Sequence, residues 1–75
     1  MSRLPALDYR HLVKKLRKLG FVYERQAKGS HELWLNLQTH QRTLVPHHAG
    51  KTLKRKTLKS IINDTGLSVE EFMKS

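Results

Sequence analysis

The sequence predicts one α+β domain, in which two helices cover one face of a three-stranded antiparallel sheet. Three observations lead to this fold class. The chain has only 75 residues, enough for a single small core spanning residues 1–75. An amphipathic helical pattern lies near each end of the chain. Between the two patterns, three short segments with a strand-like residue pattern are joined by polar turns, which favours an antiparallel meander. Helices segregated from the strands are typical of α+β folds.

The first helix is predicted over residues 8–19. Asp8 is suited to the N-cap, and Gly20 to the left-handed position that follows a helix C-terminus. The apolar stripe consists of Tyr9, Leu12, Val13, Leu16 and Leu19. The remaining circumference carries Arg10, Lys14, Lys15, Arg17 and Lys18. This separation of apolar and charged faces predicts a helix that packs one side against a core.

Three strands are predicted over residues 21–26, 31–37 and 42–45, with Pro46 ending the last. The second strand alternates, so that the face with Leu33 is opposite the face with Trp34. The residues expected in the core are Tyr9, Phe21, Leu33 and Ile61. Trp34 has two interpretations: cover for the second face of the sheet, which we prefer, or an exposed platform for an unpaired base.

The C-terminal part predicts a loop at residues 47–51, a second helix and a last helical turn. Thr57 offers the N-cap of the second helix, and Gly66 ends it. Its apolar stripe consists of Leu58, Ile61 and Ile62. Ser68 and Glu71 have the spacing of a capping box, which predicts a final turn reaching Met73.

The charge of the chain points to a polyanionic partner. Fifteen Lys and Arg residues against six Asp and Glu give a net charge of +9, and cations release condensed counterions from nucleic acid phosphates. Five of these cations fall within residues 51–59, which predicts a phosphate-binding surface at the start of the second helix. The alternative is a merely solvated face. No membrane association is expected, because the longest apolar runs are three residues and the first helix uses its apolar stripe in the core.

Metal and disulfide chemistry are not expected from this sequence. It contains no cysteine, which excludes disulfides and thiolate ligands and fits a reducing, cytoplasmic location. The five histidines lack the spacing of a metal site, and no acidic cluster accompanies them. We therefore expect no metal and no cofactor.

His31 is distinguished from the other histidines by its position. It follows Gly29 and Ser30, which favour a turn, and it opens a strand, which is a rigid mount for a side chain. An imidazole can take up and return protons near neutral pH. The plainer interpretation is a histidine that simply lies at the surface.

Several motifs resemble those of the HicA toxin family and occur in the same order along the chain. Residues 29–34, Gly-Ser-His-Glu-Leu-Trp, are similar to its Gly-Ser-His strand motif, and residues 45–48, Val-Pro-His-His, to its Val-Pro-x-His element. The Leu-Gly-Phe of residues 19–21 resembles its first helix-to-strand junction, and residues 57–61 and 66–72 resemble its second helix and tail. Family members often have Gly or Pro before the second helix, where this chain has Lys-Arg-Lys.

The resemblance implies a fold like that of double-stranded-RNA-binding domains. It also implies the activity of a toxin from a type II toxin–antitoxin system. Such toxins cleave RNA, chiefly messenger RNA, until a HicB-type antitoxin binds them. The family's catalytic histidine corresponds to His31. His48, at the Pro-x-His position, is the candidate for a second proton-transfer group, although a hydrogen-bonding loop residue is the plainer interpretation.

The residues fit a metal-independent endoribonuclease, since RNA supplies its own 2′-OH nucleophile. His31 would act as general base or acid, and nearby cations would stabilise the charge of the transition state. The residues expected to bind RNA are Arg25, Lys28, Ser30, Lys51, Lys54, Arg55 and Lys56. The alternative function is a non-catalytic double-stranded-RNA-binding domain. A DNA-reading module is disfavoured, because the exposed face of the first helix offers mostly phosphate-binding Lys and Arg.

Overall fold

The computed structural model describes residues 4–48 and 50–75 of the chain. The elements are α1 (Tyr9–Lys18), β1 (Phe21–Gln26), β2 (His31–Asn36), β3 (Arg42–Pro46), α2 (Arg55–Thr65) and α3 (Val69–Met73). The predicted α+β class and α-β-β-β-α order are confirmed. The loop predicted at residues 47–51 includes Ala49, which lies outside the described residues. No helix in the described part of the chain has the length and apolarity to cross a membrane.

Local signals fix the ends of α1. The Asp8 carboxylate accepts a hydrogen bond of 2.9 Å from the backbone N–H of His11, which lowers the pKa of Asp8 below its ordinary value. At the other end Gly20 takes a φ of +100°, a conformation that residues with a Cβ rarely adopt. The N-cap and the C-terminal glycine both match the prediction.

The sheet is an antiparallel meander in the order β1-β2-β3. Tyr23 lies opposite Trp34, which in turn lies opposite Thr43. The register of β1 shifts between Tyr23 and Arg25, where the strand carries a bulge. The strands begin and end close to the predicted positions, except that β2 stops at Asn36. There the Asn36 Oδ1 accepts from the N–H groups of Gln38 and Thr39 at 2.8 and 3.1 Å, which starts the turn one residue early.

All helices pack on the same face of the sheet. The buried core comprises Leu12, Val13, Leu16, Phe21, Trp34, Val45, Leu58, Ile61, Ile62 and Phe72. The core positions predicted for Phe21 and Ile61 are confirmed, and Tyr9 packs against this core while half-buried. At the C-terminus, the capping box of Ser68 and Glu71 is present and starts α3 as predicted.

The prediction that Leu33 belongs to the core is wrong, because β2 turns its other face to the helices. Trp34 is 1% exposed, whereas Leu33 is half-buried on the opposite face. Trp34 is therefore part of the helix-facing core. Both interpretations of Trp34 are wrong, since it neither covers the second face of the sheet nor is exposed for base stacking. The buried face of β2 also holds two polar side chains, Glu32 and Asn36. Both have hydrogen-bond partners within the protein, so their burial is tolerated.

The prediction that Thr57 caps α2 is also wrong. The helix begins at Arg55, with Lys54 as an extended N-cap that makes no side-chain capping bond. The preceding segment is held by the N-terminal segment, since the N–H of Leu53 donates to the Leu7 carbonyl at 2.8 Å. With Leu53 held there, Lys54 is the first residue whose carbonyl accepts a helical bond, from Leu58 N–H at 2.9 Å. Gly66 ends the helix with φ +79°, as predicted.

Candidate active site and nucleic-acid interface

The turn before β2 presents His31 to solvent. Gly29 has a φ of +65°, and the side-chain amide of Gln26 donates to its carbonyl at 2.8 Å. His31 is exposed and lies opposite Pro46 of β3. Its Nδ1 is 3.3 Å from the Lys28 carbonyl oxygen. That contact favours the proton on Nδ1, which leaves the Nε2 lone pair directed away from the turn.

His31 lies where two surface depressions meet. One, of about 540 Å³, runs along β3 and α2 and includes Lys56 in its wall. The other, of about 380 Å³, lies against the segment that leads into α2 and includes His48. His31, Pro46 and Thr57 line both depressions. The imidazole therefore lies at the border that the two depressions share, and we call the two together the cleft.

The cleft gathers some of the predicted RNA-binding residues and not others. Lys51 and Lys54 line the smaller depression and Lys56 the larger one. Arg55, between them in sequence, instead lines a separate depression near the N-terminal segment. Successive helical residues are turned by about 100°, so neighbours in sequence need not share a surface.

The other three candidates lie at or near the turn that carries His31. The Ser30 Oγ is 3.4 Å from Nε2 of His48, and Lys28 contacts His31 through its backbone carbonyl. Arg25, on β1, has its Nε 3.8 Å from a carboxylate oxygen of Glu24.

The start of α2 concentrates positive charge. Lys54, Arg55 and Lys56 occupy the N-cap and the first two helical positions, and the first turn contains no acidic residue. The helix dipole already places partial positive charge at this end, so the three cations are unfavourable there on their own. A bound anion would offset this repulsion. This arrangement favours a phosphate group at the end of the cleft.

The chain matches, over residues 9–67, a protein family described as the HicA toxin of bacterial toxin-antitoxin. It belongs to the HicA toxin family. The matched range contains α1, the whole sheet, α2 and the cleft around His31. No curated protein matches the chain. As a family of toxin–antitoxin systems, the HicA toxins imply an antitoxin as partner.

A buried carboxylate in this HicA toxin supports the loop after β3, and sequence analysis missed it. Glu32 is only 7% exposed. Its Oε1 accepts from the Tyr9 hydroxyl at 2.7 Å and from the Trp34 indole N–H at 3.1 Å, and its Oε2 lies 3.1 Å from Nδ1 of His47. Burial, reinforced by the hydrogen bond to this carboxylate, raises the pKa of Tyr9 to about 12. The sequence around Glu32 alternates like that of an ordinary strand, so it does not indicate that Glu32 bonds to Tyr9 and His47, which are distant along the chain.

The Glu32 network leaves His48, rather than His47, beside the catalytic candidate. The His47 ring stacks on Tyr9 with centroids 3.9 Å apart, and its backbone N–H donates to the Ser30 carbonyl at 2.9 Å. These contacts fix the loop against the start of β2. His48 then lines the same depression as His31.

Two cations of α1 serve the fold. The Arg17 guanidinium lies 5.3 Å from the centroid of the Trp34 ring, within cation–π range. The Lys15 ammonium donates to the carbonyls of Met73 and Ser75 at 3.1 and 3.0 Å, which ties the C-terminus to α1. The cations of α1 are therefore partly structural.

Acidic groups contribute little to the cleft. Asp64 lines the larger depression, and its carboxylate accepts from the Thr43 hydroxyl at 2.9 Å. Across residues 4–48 and 50–75, no group of three or more His, Cys, Asp or Glu side chains is arranged to hold a metal ion. Among the described residues, the charged and titratable side chains that line the two depressions are those of His31, His48, Arg42, Lys51, Lys54, Lys56, Asp64 and Tyr9.

Proposed function

We propose that this HicA toxin is a metal-independent endoribonuclease that cleaves messenger RNA through His31 and is neutralised by a HicB-type antitoxin. One observation carries the proposal: an exposed imidazole lies in a cleft whose walls include Lys51, Lys54 and Lys56. A phosphodiester held by these cations would lie within reach of a proton-transfer group.

The reaction follows from the substrate's own 2′-OH. His31 Nε2 takes the hydroxyl proton, and the 2′-oxygen forms a bond to the adjacent phosphorus. The bond from phosphorus to the 5′-oxygen breaks, and that oxygen takes up a proton. The products are a 2′,3′-cyclic phosphate and a 5′-hydroxyl end. The lysines stabilise the additional negative charge on the pentacoordinate phosphorus.

His48 is the proposed donor of the second proton. One imidazole cannot both take up and deliver a proton in a single concerted step, so a second group or water must act. His48 lines the depression that His31 also lines. Its Nε2 lies 3.4 Å from the Ser30 hydroxyl, a contact long enough to be exchanged for one to substrate.

RNA binding by this surface should be strongly salt-dependent. With about four to six phosphates contacted, log K against log[salt] should have a slope of about −3 to −5. Replacing Lys54 and Lys56 by glutamine should make the slope less negative by about 2 and weaken all RNA sequences alike. Fluorescence anisotropy at several salt concentrations measures this. Arg55→Gln is the control outside the cleft. It removes one charge, as Lys54→Gln or Lys56→Gln alone does, and it should change the slope by less than either of these single substitutions. A flat response of the parent protein would contradict the electrostatic proposal.

Growth of cells expressing the chain tests the biological role. Expression alone should arrest growth, expression together with a cognate HicB-type antitoxin should restore growth, and His31→Ala should make the antitoxin unnecessary. Growth arrest by His31→Ala equal to that of the parent would show that cleavage is not the toxic activity. The protein would then act as a non-catalytic RNA-binding domain.

A further inference from the structure

The larger depression of the cleft contains a carboxylate at the end away from His31. Asp64 lines this depression and lies in the last turn of α2. Thr57 lines both depressions, as His31 does, and Asp64 follows it about 10 Å further along the helix. The depression therefore extends from the position proposed for the cleaved phosphodiester toward a neighbouring nucleotide of the same RNA.

The position of this carboxylate is unfavourable for the fold. The last turn of α2 has no basic residue, and the helix dipole places partial negative charge there, which disfavours Asp64. Within the described part of the chain, the hydrogen bond that the carboxylate accepts comes from the Thr43 hydroxyl, at 2.9 Å from Oδ2. Near RNA the same charge would also repel phosphates. Residues placed against the local preferences of a fold are typical of functional sites.

Asp64 retains the capacity to accept further hydrogen bonds. A carboxylate has two oxygens with about four lone-pair sites between them, and the Thr43 hydroxyl uses one. The Asp64 side chain is half-buried, so solvent and ligands can reach it from the depression. A group that binds there must offer N–H or O–H donors.

The walls around Asp64 suit a flat, largely apolar group. They include Leu33, Leu44 and Pro46, and the depression of about 540 Å³ is within the range of about 300–1,000 Å³ that is usual for ligand pockets. A nucleobase combines an apolar ring face with a hydrogen-bonding edge, and proteins bind unpaired bases between apolar side chains while reading that edge.

Guanine is the RNA base whose edge best complements a carboxylate. Its N1–H and N2–H groups are adjacent donors, so they can bond to both oxygens of one carboxylate. In adenine and cytosine the amino group is next to a ring nitrogen that is an acceptor, and in uracil the single N3–H lies between two carbonyl oxygens. An acceptor that faces a carboxylate is repelled by it. The Watson–Crick edge must also be free, which requires single-stranded RNA.

Cations border the depression at both ends. Lys56 lies near the start of α2 and Arg42 at the start of β3, and both line the depression. The Arg42 Nε is 3.3 Å from a carboxylate oxygen of Glu24, and its other guanidinium N–H groups can donate to phosphate. A nucleotide whose base faces Asp64 would thus have a cation for the phosphate on each side.

We propose that Asp64 determines specificity by binding a guanine base next to the cleaved bond, through the N1–H and N2–H groups of the base. The inference rests on the proposed function in taking RNA as the ligand, but base recognition itself does not require cleavage. Binding measurements on a protein that cannot cleave therefore separate the two.

Fluorescence anisotropy with His31→Ala measures recognition without cleavage. The probes are labelled oligouridines that carry one guanosine, inosine or adenosine, and inosine lacks only the N2 amino group of guanosine. The guanosine oligomer should bind about tenfold more tightly than the other two. A complementary strand should remove this preference, because it occupies the Watson–Crick edge.

Two further substitutions in the His31→Ala protein assign the preference to one side chain. Asp64→Asn keeps an acceptor for the Thr43 hydroxyl but replaces one oxygen by an N–H donor, so the three affinities should agree within about twofold. Glu70→Gln removes the same charge from α3, outside both depressions, and should keep the guanosine preference. Circular dichroism checks the fold, and Asp64→Ser replaces Asp64→Asn if that variant does not fold.

The remaining outcomes contradict one proposal or the other. Equal binding of the guanosine and inosine oligomers would overturn the assignment, and so would a preference that survives the loss of the Asp64 carboxylate. An equal gain in affinity for all oligomers in Asp64→Asn would show a carboxylate that only repels phosphate. Cleavage by the parent without a guanosine preference would contradict this inference alone. A guanosine preference in a chain whose parent does not cleave RNA would contradict only the proposed function.

Discussion

Trp34→Ala should lower the free energy of unfolding by about 3–5 kcal/mol, the usual loss for a large buried aromatic residue. The Trp34 ring is 1% exposed, lies edge-on to Tyr23 at 6.2 Å and accepts the cation–π contact of Arg17. Its removal also deprives the buried Glu32 carboxylate of one donor. A domain of this size has a total stability of about 4–11 kcal/mol, so the variant should be near the limit of folding.

Urea unfolding followed by circular dichroism measures this loss. Trp34→Phe retains most of the packing but not the indole N–H, so an intermediate loss of about 1–3 kcal/mol is expected. Leu37→Ala is the exposed control and should change stability by less than about 0.5 kcal/mol. A loss below about 1 kcal/mol for Trp34→Ala would contradict the position of this ring in the core.

The elements that the sequence predicted correctly are those specified by neighbouring residues. The N-cap of α1 at Asp8 and the capping box of α3 depend on contacts between residues three apart. Gly20 and Gly66 end α1 and α2 by adopting positive φ angles, which depends on the glycine itself and not on a distant contact. Such features are readable along a single segment of chain, because no distant partner is needed to specify them.

The errors came from contacts between distant segments. The inner face of β2 was misassigned because the polar residue Glu32 is satisfied by Tyr9 and His47, 23 and 15 residues away. The start of α2 was misplaced because the hydrogen bond between Leu53 and Leu7 fixes the preceding chain. Neither partnership has a signature in the local sequence.

The candidate site was only partly predictable for the same reason. The motif and the turn indicated His31, and the charge cluster indicated the start of α2. The division of that cluster, with Lys54 and Lys56 in the cleft and Arg55 outside it, depends on how α2 is placed against the sheet. The aliphatic face formed by Leu33 and Leu44 was not anticipated, because Leu33 was assigned to the core.

His31→Ala should reduce RNA cleavage by about 10²- to 10⁴-fold, the usual contribution of a positioned general acid or base. Its side chain is exposed, so the fold should be unchanged. RNA affinity should change little, because the cations that supply the electrostatic attraction remain. His48→Ala should cause a smaller loss, since water can replace a proton donor more readily than the positioned base.

Cleavage of a defined RNA in excess EDTA, by the parent protein and by His31→Ala, tests this most directly. The parent should cut at the same rate with and without EDTA and leave 2′,3′-cyclic phosphate ends, and it should not cut the same strand made with 2′-deoxy sugars. The variant should be slower by at least about 100-fold. Loss of parent activity in EDTA with recovery on adding Mg²⁺, or cleavage by His31→Ala at the parent rate, would contradict metal-independent catalysis by His31.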